Sequence, residues 1–351
     1  MRKMKWLAVA MAIMLVMLSV GCTNNNSEKK EIVVYNWEDY IDESVNDLFE
    51  EETGIKVNYV RFTTNEDMYA KLVSGASDYD VIFPSDYMIE RLIKEDRLHE
   101  INFSNIPEFK NIESNLKNPE YDPDNKFSVP YMWGTLGILY DTTKVSEPID
   151  SWDALWDTQY AGNVIMIDSV RDAMGIALIR AGYSPNSRVE QELEAAKEAL
   201  MQQKESGVIQ KYALDEAKDI MKRGVATMAV VYSGDAITAM EENENLAYVV
   251  PKEGSNIWYD SLVIPKNSKN AEAAEKYINF ICRADVALKN ADAIGYSSPN
   301  AEAKKLMDEE TLADETIYPS EDVVAKCIMF VDLGDALEQY DDIWTQIKIF
   351  K

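Results

Sequence analysis

From residue 32 to residue 84 the chain alternates short apolar runs with helical periods, and this alternation narrows the folds open to it. Residues 32–35 (IVVY) form an apolar strand run. Val45, Leu48 and Phe49 then recur at helical spacing, and the pattern stops at Thr53 and Gly54. Residues 55–60 alternate with period two, as a half-covered strand does. A second helical pattern carries Met68, Tyr69, Leu72 and Val73 to Gly75, and residues 80–83 form a third strand broken by Pro84. This β-α-β-α-β order belongs to a mostly parallel sheet flanked by helices. The pattern restarts near Gly137. Strands are expected over 137–140, 164–167, 226–232, 246–250 and 257–264, and helices over 171–182, 190–203, 215–223 and 271–282. A chain of 351 residues exceeds the usual size of one hydrophobic core. The expected architecture is therefore α/β in two lobes, each a mostly parallel sheet flanked by helices.

The N-terminus carries an address. Arg2, Lys3 and Lys5 precede an apolar run over 6–21 whose one polar residue is Ser19. The run is short for a bilayer span of about 20 residues. Charge, apolar stretch and small residues in that order form a secretory signal. The run ends in LSVGC, which resembles a bacterial lipobox and makes Cys22 the expected lipidated residue. Leu18 lies one place further from the cysteine than usual in that motif. Residues 22–30 are polar and free of aromatics, and read as a tether. The expected location is extracytoplasmic, with the protein anchored to the membrane by lipid on Cys22.

In an open parallel sheet, ligands sit outside the carboxyl ends of the strands. Those ends carry Trp37, Asp39 and Tyr40; Ser85 and Tyr87; Asp168 and Asp172; Tyr232 and Asp235; and later Trp258, Asp260 and Tyr296. Rings and carboxylates recur. A protonated amine is attracted to the face of Trp or Tyr, and a carboxylate supplies the opposite charge and accepts its N–H bonds. Aromatic walls also cover the methylene stems of an alkyl amine. The set suits an elongated polycation. Each residue also has a purely structural reading. Asp235 and Asp172 suit helix starts, and Trp37, Trp133 and Trp258 suit core packing.

Composition agrees with that reading and excludes others. With 35 Lys+Arg against 62 Asp+Glu the protein is strongly acidic, so no nucleic-acid partner is expected, because phosphate neutralisation needs a basic face. An anionic ligand would want Arg or exposed helix N-termini at the strand ends. The one histidine is His99, and Cys22, Cys282 and Cys327 form no CxxC pair. Neither metal nor cofactor is expected. Cys282 and Cys327 read as core thiols. Asp168 and Asp172 would suit a secreted hydrolase, but no GxSxG elbow accompanies them. No enzyme activity is expected.

The segments YNWEDY, ETGIKVNYV, NEDMYAKL, PSDY, VPYMWGT, SWDALW, PKEGSNIWYDSLVIP and IGYSSPN, in that order, resemble the spermidine/putrescine-binding proteins of bacterial ABC importers. The resemblance runs from about Ile32 to the C-terminus. It implies two lobes joined by a hinge, a polyamine held in the cleft, and delivery to a membrane permease. It places ligand contacts at Trp37, Asp39, Tyr40, Ser85, Tyr87, Asp172, Trp258, Asp260 and Tyr296, with Asp235 and Tyr232 matching a putrescine-type WxGD pattern in which Tyr replaces Trp. Ser169, Phe330 and Glu38 depart from the pattern. Acids at Asp39, Asp172, Asp235 and Asp260 suffice for three amines, a slight lean to spermidine. The resemblance implies crossings near Leu136, Trp258 and Lys304, hence a first lobe of 31–135 with 259–304 and a second of 136–258 with 305–351. A monomer is expected. The alternative is a binding protein for another small solute.

Overall fold

The computed structural model describes residues 31–75 and 78–350. Cys22, the signal run and the tether lie outside the described residues.

In the first lobe, β1 (Glu31–Trp37) pairs in parallel with β2 (Lys56–Phe62) and with β3 (Val81–Ile82). Helix α1 (Ser44–Thr53) joins β1 to β2 and α2 (Asn65–Ser74) joins β2 to β3. Gly54 closes α1 at φ 70°, a conformation that costs a residue without Cβ nothing. Thr64 caps α2 by accepting from Asp67 N–H. Side chains alternate along β1: Ile32 and Val34 pack with Phe49 on one face, and Tyr35 packs with Met68 on the other. Both faces are covered, which is why the strand reads as a continuous apolar run. α3 (Asp86–Lys94) follows β3.

Two long strands carry the chain between lobes. β4 (Ser128–Asp141) pairs antiparallel with β9 (Ile257–Val263) up to Thr135, and from Leu136 onward with β7 (Met228–Tyr232). β3 lies against the other edge of β9. In the second lobe β5 (Val164–Ile167) sits parallel between β7 and β6 (Ile209–Ala213), while β8 (Leu246–Val249) pairs with the second half of β4. Helices α4 (Val170–Arg180), α5 (Glu190–Glu205), α6 (Glu216–Lys222) and α7 (Ser233–Glu242) belong to this lobe. Here too the faces alternate: Val164 and Met166 enter one core layer, Ile165 the other. α8 (Ala271–Ile281) and α9 (Ala284–Ile294) return to the first lobe.

The strand order is β2-β1-β3-β9-β4-β7-β5-β6, so the flanks are parallel and the antiparallel ladders gather where the lobes join. The chain passes between lobes at 135–136 and again at 255–257, where Ser255 Oγ donates to Leu136 O over 2.6 Å. The expected third crossing near Lys304 needs correction. Residues 305–318 stay with the first lobe: the Ser297 hydroxyl donates to Ile317 O, and Lys304 Nζ lies 4.4 Å from the Tyr318 ring. The passage comes later, where Ile328 bridges beside Asn256 and Val331 N–H donates to Asn186 Oδ1 at 3.0 Å. Helix α13 (Ala336–Ile349), after the short helices α10 (Ala301–Lys304), α11 (Glu309–Ala313) and α12 (Glu321–Val324), then packs on the second lobe through Tyr340, Ile343 and Ile347. Cys282 is a core thiol as expected, whereas Cys327 is only half-buried.

Candidate functional site

The carboxyl ends of β1, β2 and β3 face those of β5, β6 and β7 across a cavity of about 580 Å³. Eleven of the twelve residues singled out at strand ends line it: Trp37, Asp39, Tyr40, Ser85, Tyr87, Asp172, Tyr232, Asp235, Trp258, Asp260 and Tyr296; Asp168 does not, and instead accepts from Lys348 Nζ at 2.7 Å. The lining holds eleven carboxylates and three basic side chains, Arg171, Lys218 and Lys222, so the cavity is built for positive charge.

β9 supplies the centre. Trp258 and Asp260 are two residues apart on one strand and share a face. The Trp258 ring meets Tyr296 edge-on at 5.0 Å between centroids and Tyr232 at 6.0 Å. Tyr296 can approach because residue 234 is glycine; a Cβ there would sit 2.6 Å from the ring. Asp260 is 4 % exposed and its Oδ1 has no hydrogen-bond partner, nor does the indole N–H of Trp258. Burial pushes the Asp260 carboxyl up to about 7, with the Ser85 and Tyr40 hydroxyls acting in the opposite direction. A buried acid without a cation stays ionised only at a cost.

Asp172 sits in the first turn of α4. Ser169 caps that helix and also donates its hydroxyl to Asp172 Oδ2 at 2.6 Å. Tyr232 donates to the same oxygen at 2.9 Å. These donors are neutral, and desolvation still holds the carboxyl above its ordinary value. Next door, Arg171 crosses between lobes. Its guanidinium lies 4.9 Å from the Tyr87 ring and 4.5 Å from the Phe330 ring, and it donates to Val331 O at 3.1 Å. Phe330 is thus a lid on Arg171 rather than a polar contact.

The other expected residues hold fixed positions. Trp37 is tied by its indole N–H to Phe83 O at 2.7 Å. Tyr40 is buried, and its backbone carbonyl accepts from the Tyr131 hydroxyl at 2.8 Å. Ser85 Oγ accepts from Asn65 Nδ2 at 3.1 Å. Tyr87 accepts from the same amide and donates to Glu66 Oε1 at 2.9 Å. Asp39 and Asp235 both contact Lys218. Asp86 lines the cavity too, but its role is structural: it accepts from the backbone N–H groups of Tyr87 and Tyr259 at 2.7 and 3.0 Å. His99 is not among the lining residues.

Sequence reasoning missed Glu66, Asp215 and Lys218. Glu66 lies just beyond the carboxyl end of β2. Asp215 and Lys218 follow β6, a strand that no apolar run or alternation marks in the sequence. Among the described residues, no group of three or more His, Cys, Asp or Glu is placed to hold a metal ion. No helix among them is long and apolar enough to cross a membrane.

The cleft's place in a known family comes from comparison. The sequence pattern of the bacterial extracellular solute-binding proteins matches residues 45–319. The spermidine/putrescine-binding periplasmic protein of Salmonella typhimurium is 35% identical over 98% of this chain and 99% of its own. The putrescine-binding periplasmic protein SpuD of Pseudomonas aeruginosa is 33% identical over 94% of this chain and 95% of its own. The solved substrate-binding protein PotD of a spermidine/putrescine ABC transporter from Streptococcus pneumoniae superposes with a TM-score of 0.77 at 40% identity, covering 92% of this chain and 99% of that one. Sequence, two-lobed fold and cleft agree, and this chain is a member of the bacterial extracellular solute-binding protein family.

Proposed function

We propose that this protein captures a polyamine, spermidine or putrescine, between its lobes and delivers it to the permease of an ABC importer. The observation that carries the reading is the Asp260 carboxylate, buried beside the Trp258 and Tyr40 rings with an oxygen that nothing satisfies. A protonated amine would supply the charge and the hydrogen bond together, and the rings would cover its methylenes. Asp172 offers a second buried carboxylate on the opposite lobe. The relatives named for spermidine and putrescine binding support the ligand class. They are transport proteins and support a carrier rather than an enzyme.

Trp37, Asp39, Tyr40, Ser85, Tyr87, Asp172, Tyr232, Asp235, Trp258, Asp260 and Tyr296 form the ligand shell. The lobes divide at the crossings near 135 and 257, with a third passage close to 328. The protein is a monomer outside the cytoplasm, held to the membrane by lipid on Cys22. Calorimetric titration with putrescine, spermidine, spermine and cadaverine tests the ligand class. Binding of at least one is expected. The absence of both heat and thermal shift with all four overturns the reading, and tight binding of a sugar replaces it.

A further inference from the structure

The cleft holds an ammonium group of its own. Lys218, in α6 just beyond the end of β6, places Nζ 3.2 Å from Asp39 Oδ2 on the first lobe and 3.2 Å from Asp235 Oδ1 on the second. Its side chain is only 14% exposed, a degree of burial that lysine tolerates when it is paired. A third carboxylate, Asp215, shares the surroundings: burial and the Asp235 charge raise it to about 6, and Lys218 opposes that rise. Two lobes thus contribute acids to one subsite for a cation, and a tethered lysine fills it. The rings of Tyr232, Trp258 and Tyr296 stand in a row between Asp172, which Tyr232 holds, and this filled subsite, which Tyr296 adjoins through Gly234.

We infer that Lys218 is a specificity-determining residue that occupies one ammonium subsite of the cleft and so favours a diamine over a triamine. The inference rests on the polyamine reading above. Of the four acids counted from the sequence, Asp39 and Asp235 are engaged by Lys218, which leaves Asp172 and Asp260 for the ligand. A diamine matches those two. The third ammonium of a triamine has two routes. It displaces Lys218 and leaves that charge without its Asp39 and Asp235 partners, or it is desolvated beside a like charge. Both routes are unfavourable.

The test is the ratio of spermidine to putrescine affinity, measured by calorimetry on the purified protein. Lys218→Met keeps the stem and removes the charge. It is expected to raise the ratio about 10- to 100-fold, the worth of one hydrogen bond to a charged group. Lys218→Gln keeps a donor for Asp39 and Asp235 without the charge and must shift the ratio the same way. Lys218→Arg keeps the charge and must hold the ratio within about threefold of wild type. A ratio unchanged within about threefold in the uncharged variants overturns the inference while leaving the polyamine reading intact. A wild-type protein that binds neither amine overturns both.

Discussion

Asp260→Asn removes one charge and almost no volume, so it separates the electrostatics of the cleft from its shape. Asp260 is 4 % exposed, its Oδ1 is unpartnered, and its carboxyl is pushed up to about 7. An ordinary aspartate titrates near 3.9. At pH 8 the empty cleft therefore holds this ion at a cost of roughly 4 kcal/mol. A ligand ammonium removes the deficit by supplying the missing partner. Losing one member of a desolvated charge pair costs roughly 2–5 kcal/mol, which is about 30- to several-thousand-fold in Kd. The substitution should act with opposite signs on two observables. Polyamine affinity at pH 8 falls at least about 30-fold. The ligand-free protein melts higher, by about 2–4 °C for each kcal/mol of relieved penalty. Calorimetric titration and thermal melts read the two effects separately. If the Asn variant binds within about threefold of wild type, a difference below 1 kcal/mol, the reasoning is wrong. A lowered melting temperature with normal affinity would make Asp260 a hinge-ordering residue instead.

Four further outcomes are expected. Ligand-free stability should fall as pH rises from about 4 to about 7, because folded Asp260 keeps its proton after the unfolded chain has lost it; melts that rise across this window contradict the assignment. Over pH 6 to 8, polyamine binding should strengthen and release protons, detected as binding heats that vary with the ionisation enthalpy of the buffer. Gly234→Val should drive a methyl-bearing Cβ into the Tyr296 ring, since even a bare Cβ comes within 2.6 Å of it, and should cost at least about tenfold in affinity; unchanged binding would remove Tyr296 from the site. Cys22→Ser should abolish fatty-acid labelling and move the protein from the membrane to the soluble fraction, and an unlabelled wild-type protein refutes the anchor.

The strand ends were legible because β1, β3, β5 and β7 are covered on both faces and so read as unbroken apolar runs that stop at polar residues. β6 is different. Its Gln210 and Lys211 are exposed at the sheet edge, an edge strand blunted by charge, and neither periodicity nor hydrophobicity marks it. With β6 unread, the residues that follow it, Asp215 and Lys218, were unread as well. The first half of β4 was hidden for another reason. Pro130 and Gly134 look like strand breakers, yet Pro130 sits at a register shift in the ladder with β9. Gly134 is required because a Cβ there would lie 2.7 Å from Ser233 Oγ and 2.8 Å from the Trp258 ring. Gly134 serves the close approach of β4 to Ser233 and Trp258, and that is a tertiary fact with no local signature. The late third crossing was missed on the same ground. Tyr318 is held to the first lobe by its contact with Lys304 and by an edge-on ring contact with Trp133 at 6.4 Å, and nothing in the local pattern of residues 305–318 announces either partner.

Closure and recognition share one piece of backbone. Trp258 stands opposite Gly134 and Asp260 opposite Met132 on the two strands that join the lobes, one step from where β4 changes partners at residues 135 and 136. A rotation about this point moves Asp172, Tyr232 and Asp235 relative to Asp260, Tyr40 and Ser85. A ligand drives that rotation only through contacts that differ between open and closed forms. The Lys218–Asp39 bridge spans the cleft between a largely buried Lys218 and an Asp39 side chain that is 73% exposed, so solvent screens its Asp39 end. The buried carboxylates are another matter. Burial raises the carboxyls of Asp260 on the first lobe and Asp172 on the second, and one elongated cation reaching both would relieve the desolvation at each. On the proposed polyamine reading, an elongated cation that meets Asp172 on one lobe and Asp260 on the other is the contact through which a ligand would favour closure.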